Sequence, residues 1–386
     1  MFAQLEFGDW RNWIEKAEAL DYLSRYDVPN AGPAVQKVLD NKHPNNRWLR
    51  GQAVIAMARI DPDKAPALAT AHVEDPHTEV RVAVARVCVD LTKDQAAPIL
   101  KVLFEDKTPA VQFATLAAYA RHHREQAWDR AESLTAEIPE DALESAIRAL
   151  AWIGNEPALE RLRERIDSGK HPRVIFDGLA GVTNPSLVPI YLGLLASSDD
   201  LTLLSGVWAQ LKTFERNAVV SACQAALASG DPKMLQAVSR LVASHLREPA
   251  LGEPLQTALN LSEDRVTRLL GLSALSCTEA DRYADFFVSN LEHEDPPVRA
   301  MAVHCLAQCQ EVNLYEVLEK TLSDEDAVVR VAALTALRHT SGDSVPEERI
   351  LDYFTSSLLS PDHASRVAAV EALVPYVNLD NAQAAL

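Results

Sequence analysis

The sequence predicts an all-α fold, a right-handed α-solenoid of about eleven stacked helical hairpins. The first observation is a repeat: an anchor residue, which is Arg, Gln or Leu, returns at steps of 30 to 36 residues, most of them 31. The anchors are Arg50, Arg81, Gln112, Leu143, Arg173, Leu204, Leu235, Arg268, Arg299, Arg330 and Arg366. The second observation is that small or apolar residues follow each anchor three and then six or seven positions later, which is the spacing of one helix face.

The third observation is a second amphipathic run upstream of each anchor. Residues 96–104 before Asp106 and residues 314–322 before Ser323 are examples, and a short polar turn separates the two runs of each copy. Each copy is therefore predicted to be a helical hairpin, which has to stack on its neighbours because it cannot bury its apolar side alone. Strand signals are sparse, with only 13 Gly and few β-branched runs of period two.

The chain divides into three predicted parts. Residues 1–28 form an N-terminal capping helix, in which Trp10, Trp13, Ala17 and Leu20 are spaced for one helix face. We expect the two Trp to pack on the first repeat, and the alternative is an exposed anchor for a partner. Residues 29–378 form the repeat solenoid, and residues 379–386 form a C-terminal tail.

This pattern resembles the HEAT repeat, in particular the short bacterial form also found in phycobilin lyases. The resemblance is carried by an Asp in the turn and an Arg six residues later, as in Asp75 with Arg81 and Asp324 with Arg330. It implies stacked hydrogen bonds along the array, in which Arg81 donates to Asp75 and Arg330 to Asp324. The copies anchored on Leu143, Leu204 and Leu235 depart from the pattern, and the tetratricopeptide and ankyrin signatures are absent.

Composition disfavours several classes of function. The formal charge is −18, with 55 acidic against 37 basic residues, which argues against the phosphate attraction used by nucleic-acid binders, including glycosylases built from related repeats. Five cysteines without a CxxC spacing favour a reducing compartment, and we see neither a signal peptide nor a membrane span. We therefore expect a cytoplasmic protein without a membrane span, for which nucleic acid is not the predicted partner.

No sequence motif indicates an enzyme. The sequence lacks a GxSxG elbow, a P-loop, an HExxH and a strand followed by GxGxxG, so we predict no catalytic residue, no cofactor and no metal. His304, Cys305 and Cys309 are the one grouping with the spacing of metal ligands on a helix. Because Cys305 occupies a position held by Ala in other copies, core packing is the favoured interpretation and a metal or redox role the alternative.

The favoured hypothesis is a non-catalytic interaction scaffold that binds a protein partner or an acidic peptide along its concave face. The alternative is a bilin-lyase-like or other cofactor-maturation factor, which only the resemblance suggests. In the resembled family the second helices line the concave side, so positions five and nine after the anchor are expected to face the groove. They hold Arg86, Arg148, Arg240 and His304 in one row and Arg59, Arg121, Trp152 and His339 in the other.

From these rows we predict a partner-binding cluster of Arg86, Arg121, Arg148 and Trp152, called here the arginine–tryptophan cluster. Arg forks bind carboxylates in pairs, and Trp offers a flat apolar anchor. The alternative is that Arg59 and Arg121 stabilise the C-termini of their helices and that the other arginines pair with neighbouring acids.

Overall fold

The structure is a computed structural model that describes residues 13–26, 28–43, 46–134, 138–338 and 347–374. These residues form α-helices, short 3-10 turns and connecting loops, and the described ranges contain no β-strand. The helices are α1 Trp13–Arg25, α2 Ala31–Asp40, α3 Arg47–Ile60, α4 Ala65–His72, α5 Thr78–Val87, α6 Lys93–Leu103, α7 Pro109–His122, α8 Arg124–Leu134, α9 Leu143–Ile153, α10 Glu156–Asp167, α11 Pro172–Leu179, α12 Val188–Ser197, α13 Leu201–Leu211, α14 Arg216–Ala228, α15 Pro232–Ser244, α16 Gly252–Asn260, α17 Arg265–Glu279, α18 Ala284–Asn290, α19 Pro296–Leu306, α20 Leu314–Leu318, α21 Ala327–Arg338, α22 Glu347–Ser357 and α23 His363–Leu373.

After α1 the described helices alternate as the first and second helices of the predicted hairpins, from α2 and α3 to α22 and α23, and every predicted anchor lies on a second helix. The all-α prediction is confirmed. Prolines sit where the chain enters a helix, as Pro109, Pro172 and Pro296 do at the first position of their helices, because a proline at that position sacrifices no helical hydrogen bond. Within the described residues, no helix is long and apolar enough to cross a lipid bilayer.

The chain forms two compact units. In the first unit, residues 1–190 with 197–203, the second helices α3, α5, α7, α9 and α11 pack against one another in series. Helix α1 packs on α3 and buries Leu20 and Leu23 in the core that also holds Val35 and Val54. Trp10 lies outside the described residues.

The second unit contains residues 191–196 and 204–386. Its second helices α15, α17, α19, α21 and α23 also pack in series. Small residues at these contacts, such as Ala274, Ala302 and Ala333, are fully buried and allow the helices to approach closely. The predicted boundaries at residues 28 and 378 remain predictions.

The same hydrogen bond recurs at the anchor of six hairpins. The anchor side chain donates to the backbone carbonyl oxygen of the residue six positions earlier, in the turn between the two helices. The donors and acceptors are Arg81 to Asp75, Gln112 to Asp106, Arg268 to Ser262, Arg299 to His293, Arg330 to Asp324 and Arg366 to Ser360. Gln112 keeps this bond because its amide is also a donor, so the bond does not require a charge.

The carboxylate partner of an anchor lies in the next hairpin. Arg50 binds Asp75 with its Nη2 at 2.7 Å from Oδ2, and Arg299 binds both oxygens of Asp324 at 2.9 and 2.8 Å. Arg81 binds Asp106 in the same way. The expectation that Arg81 and Arg330 donate to Asp75 and Asp324 therefore holds for the backbone oxygens of those residues, whereas the carboxylates accept from the preceding anchor.

Hydrogen bonding keeps these buried carboxylates ionised. Burial acts to raise the pKa of Asp75, but the hydrogen bonds from Arg50 and from the backbone amide of His77 outweigh it and hold the pKa below its usual value. The same balance holds the pKa of Asp106 and of Asp324 below the ordinary range.

Where the anchor is apolar, as at Leu143 and Leu235, the anchor side chain is buried and makes no such hydrogen bond.

Candidate partner-binding surface

The arginine–tryptophan cluster lies on three consecutive second helices of the first unit. Arg86 is in the last turn of α5, Arg121 is in the last turn of α7, and Arg148 and Trp152 are both on α9. Arg148 and Trp152 are four residues apart, so they lie on the same face of α9, one turn from each other. The structure thus places the four predicted residues on neighbouring helices.

Glu144 joins two of the arginines. Its Oε2 accepts from Nη2 of Arg86 at 3.0 Å, and its Oε1 lies 3.4 Å from Nη2 of Arg148. Both guanidinium groups and the carboxylate are half-buried. Arg86 therefore reaches from α5 to the first turn of α9, and the alternative expectation that arginines of these rows pair with neighbouring acids is correct for this pair.

Arg148 also ties α9 to the following hairpin. It donates from Nη1 to the carbonyl oxygen of Ala180 at 2.9 Å and from Nη2 to that of Asp177 at 2.6 Å, where α11 ends and its last carbonyls need donors. The carboxyl of Asp177 is a further charge nearby, and burial together with the Glu144 carboxylate raises its pKa. Arg148 is consequently the most constrained arginine of the cluster.

Arg121 and Trp152 form the second contact of the cluster. The guanidinium carbon of Arg121 lies 4.7 Å from the ring centroid of Trp152, a cation–π arrangement. Arg121 is exposed, whereas Trp152 is only 7% exposed. The indole Nε1 of Trp152 is buried without a hydrogen-bond partner among the described residues. Since buried N–H groups are normally bonded, this donor marks a polar position that the fold itself does not satisfy.

A pocket of about 330 Å³ adjoins Arg86 on the same helices. Trp48, Ile55 and Val82 supply apolar walls, and Glu79 and Asp141 supply carboxylates. Trp48 is 40% exposed, a large fraction for an indole in a groove. Close approach of α3 and α5 at Gly51 forms one wall, since a Cβ at this position would lie 2.7 Å from the carbonyl oxygen of Glu79.

Sequence reasoning missed Glu144 and the pocket. The i to i+4 spacing of Glu144 and Arg148 would have indicated their pairing, but the contact with Arg86 depends on how α5 and α9 lie across α7. Of the other row residues, Arg59 is 3.6 Å from Asp21, and Arg240 and His304 lie in the second unit. His339 lies outside the described residues.

The cysteines behave as core residues. All five are free thiols, and Cys88, Cys223, Cys305 and Cys309 are buried. Burial raises the pKa of Cys305 to about 12 and that of Cys309 to about 11, so neither is a ready thiolate. In the part of the chain that the structure describes, no three His, Cys, Asp or Glu residues are grouped in a way that would hold a metal ion.

Comparison with known proteins agrees with the fold. The HEAT-repeat family matches residues 284–374, which cover α18 to α23. No curated protein matches the chain. Among solved structures, Kap121p bound to Pho4p is 13% identical with a TM-score of 0.49, and the alignment covers 96% of this chain and 44% of that one.

A second solved structure, UNC-45 from Drosophila melanogaster, is also 13% identical, with a TM-score of 0.34 over 92% of this chain and 64% of that one. The chain thus spans less than two thirds of either protein. At these TM-scores the two similarities carry no argument about function.

Proposed function

Because the chain contains HEAT repeats, we propose that it is a scaffold that works by binding a protein partner, and that an acidic segment of this partner lies on the arginine–tryptophan cluster. The observation that carries the proposal is the juxtaposition of Arg86, Arg121, Arg148 and Trp152 on three consecutive second helices. Arg86 and Arg148 share the carboxylate of Glu144, and Arg121 lies over the ring of Trp152 on the same set of helices.

The roles of the four residues differ. Arg121 is exposed and is held in place by the Trp152 ring, so its guanidinium is preorganised to donate hydrogen bonds to a carboxylate. Arg86 is half-buried and has donors beyond the Nη2 that binds Glu144, so it is the second contact for an acidic side chain. Arg148 positions Glu144 and the end of α11.

The neighbouring pocket adds an apolar component to the proposal. A leucine-sized side chain next to the acidic residue would enter between Trp48, Ile55 and Val82, which line the pocket of about 330 Å³ beside Arg86. The favoured partner segment therefore combines Glu or Asp with a large apolar residue. A purely acidic segment would leave this pocket unused.

A peptide-binding measurement tests the proposal. We expect a fluorescein-labelled peptide of alternating Glu and Leu to raise its fluorescence anisotropy on addition of the protein, and a Lys and Leu peptide not to compete at this site. Loss of a charge-assisted hydrogen bond costs about 1.5 to 3 kcal/mol. Arg121→Ala should therefore weaken binding by roughly tenfold or more.

Arg165→Ala is the matched control, because Arg165 is an exposed arginine in the last turn of the first helix α10 and lies outside the cluster. An unchanged affinity of Arg121→Ala, or an equal loss in Arg165→Ala, would contradict the assignment of the site. Thermal unfolding of both variants checks that each keeps the wild-type fold.

A further inference from the structure

The second unit contains a groove between the first helices α14 and α16. It has a volume of about 730 Å³, within the range of ligand-binding clefts. Its walls come from the C-terminal half of α14, from α16, and from the turn that leads from α16 to α17. The residues that line it are Gln224, Leu227, Ala228, Gly230, Pro232, Leu235, Glu253, Pro254, Thr257, Ala258, Leu261, Ser262, Glu263 and Asp264. We refer to this surface as the α14–α16 groove.

The floor of the groove is apolar. Leu227 and Leu235 are buried at its base, and Pro254 and Ala258 form part of one wall. Leu261, just beyond the end of α16, is 82% exposed at the groove. A single exposed leucine is ordinary, but a leucine that extends an apolar groove offers a surface that an incoming side chain would cover.

The polar groups of the walls are mostly occupied within the fold. The hydroxyl of Thr257 donates to the carbonyl oxygen of Glu253 at 2.9 Å, and the side-chain amide of Gln224 donates to the carbonyl oxygen of Ala250 at 3.1 Å. An occupant therefore gains little from hydrogen bonds to these two side chains. The recognition that remains is apolar contact and charge.

The charges of the groove have one sign. Glu253, Glu263 and Asp264 line it, and among the described lining residues there is no Lys, Arg or His. Asp264 stays ionised because the hydroxyl and backbone amide of Thr267 donate to its carboxylate and lower its pKa. Glu253 forms an ion pair with Arg282, and Asp264 accepts hydrogen bonds from Thr267. The exposed Glu263 is therefore the most accessible of the three acids for a cation of the partner.

We propose that the α14–α16 groove is a second docking site, which binds a segment of a partner protein with a large aliphatic side chain flanked by Lys or Arg. The aliphatic side chain covers Leu261 and enters the groove above Leu227, while the flanking cations lie against Glu263 and Asp264. The charge preference is the opposite of that proposed for the arginine–tryptophan cluster. Most of the groove is built from the first helices α14 and α16, with Pro232 and Leu235 contributed by the second helix α15, whereas the cluster lies on second helices only.

Two labelled peptides test this proposal on the full chain. A fluorescein-labelled peptide of alternating Lys and Leu is expected to bind, and its affinity should fall as salt is added because the acids of the rim are solvated. A Lys and Ser peptide of the same charge should bind at least tenfold more weakly, since it has no side chain for the apolar floor. Equal binding of the two peptides would overturn the proposal, because attraction to the net charge alone would then explain it.

Substitutions locate the site. Leu261→Asp and Glu263→Lys should each weaken binding of the Lys and Leu peptide by tenfold or more, and both residues are exposed, so the fold should tolerate the changes. The matched controls are Leu359→Asp, at a leucine that is 87% exposed, and Glu371→Lys, at an exposed glutamate on α23. Losses in the controls equal to those in the groove variants would overturn the assignment.

Two further measurements distinguish binding in the α14–α16 groove from binding at the arginine–tryptophan cluster and from self-association of the chain. Arg121→Ala should leave binding of the Lys and Leu peptide unchanged, so failure of the cluster proposal and failure of the groove proposal are distinguishable. Size-exclusion chromatography shows whether a second copy of the chain occupies the groove. A dimer that Leu261→Asp dissociates, together with absence of peptide binding, would refute a partner segment as the occupant.

Discussion

Replacing Arg299 with alanine should destabilise the second unit more than removal of any exposed arginine. Arg299 is 7% exposed, and its guanidinium makes four hydrogen bonds. Two go to the carboxylate of Asp324 in the next hairpin, at 2.9 and 2.8 Å. The other two go to backbone carbonyl oxygens in its own turn, those of His293 and Glu294, at 2.8 and 3.1 Å.

The expected loss of stability in Arg299→Ala depends on the Asp324 carboxylate, which loses its cation. The Asp324 side chain is only 12% exposed, so the variant keeps a mostly buried carboxylate without its cation. Breaking a buried ion pair by removing one partner costs about 3 to 5 kcal/mol. The amide of Asp326 still donates to Asp324 at 2.9 Å, which places the expected cost toward the lower end of that range.

Arg265→Ala is the matched control. Arg265 is also on a second helix of the second unit and pairs with Asp295 at 3.0 Å, but its side chain is 59% exposed. A solvated ion pair of this kind contributes about 0 to 1 kcal/mol. The loss in free energy of unfolding for Arg299→Lys should fall between those for Arg299→Ala and Arg265→Ala. Lysine keeps the charge but lacks the planar guanidinium that binds both carboxylate oxygens.

Chemical denaturation followed by circular dichroism gives the free energy of unfolding of each variant. Because repeat arrays do not always unfold as one cooperative unit, amide hydrogen exchange of α19 and α21 should be measured alongside. Faster exchange confined to these helices is expected for Arg299→Ala. If Arg299→Ala costs no more than Arg265→Ala, the bond between hairpins does not contribute as argued.

Two further predictions concern packing and pH. Gly51→Ala should destabilise the fold by about 1 to 3 kcal/mol, although alanine favours helix more than glycine does, because the new methyl would meet the Glu79 carbonyl oxygen. The control is Gly32→Ala, which has nothing within 4 Å of the new methyl and should be neutral or stabilising in thermal unfolding. Burial would raise the pKa of Asp324, but hydrogen bonds from Arg299 hold it below the unfolded value of about 3.9. The ionised Asp324 carboxylate therefore contributes to the free energy of unfolding above the unfolded pKa, and this contribution is lost as the pH falls through the folded pKa. The free energy of unfolding should decline below pH about 4, and less steeply in Asp324→Asn.

The hairpins were predictable because their signals are local. A period near 31 residues and the face spacing after each anchor are both visible in the chain, and every anchor does lie on a second helix. The partner of each anchor was harder to predict, since two acids compete for it. Asp75 is six residues before Arg81 and Asp106 is 25 after it, and only the stacking of hairpins brings the second carboxylate to the guanidinium.

The candidate site was predictable only as a set of positions. Rows at five and nine residues after the anchor placed Arg86, Arg121 and Trp152 on adjacent second helices, since helix geometry fixes which positions share a face. The rows could not indicate that Glu144 would take up part of the charge of Arg86, because that contact crosses from α5 to α9. The α14–α16 groove left no repeat signal, because it depends on the shapes of two neighbouring first helices.

The anchor on α9 explains why two arginines of the cluster are so constrained. Leu143 occupies the position at which other hairpins place an arginine, and it has no donor for the turn or for the next repeat. Arg148 instead donates to the carbonyl oxygens of Asp177 and Ala180, and Arg86 reaches Glu144 on the same helix. These two arginines therefore tie hairpins together, so substituting them changes stability and binding at once. Arg121, exposed on the face of an indole, is the residue whose removal reports binding with the least structural cost.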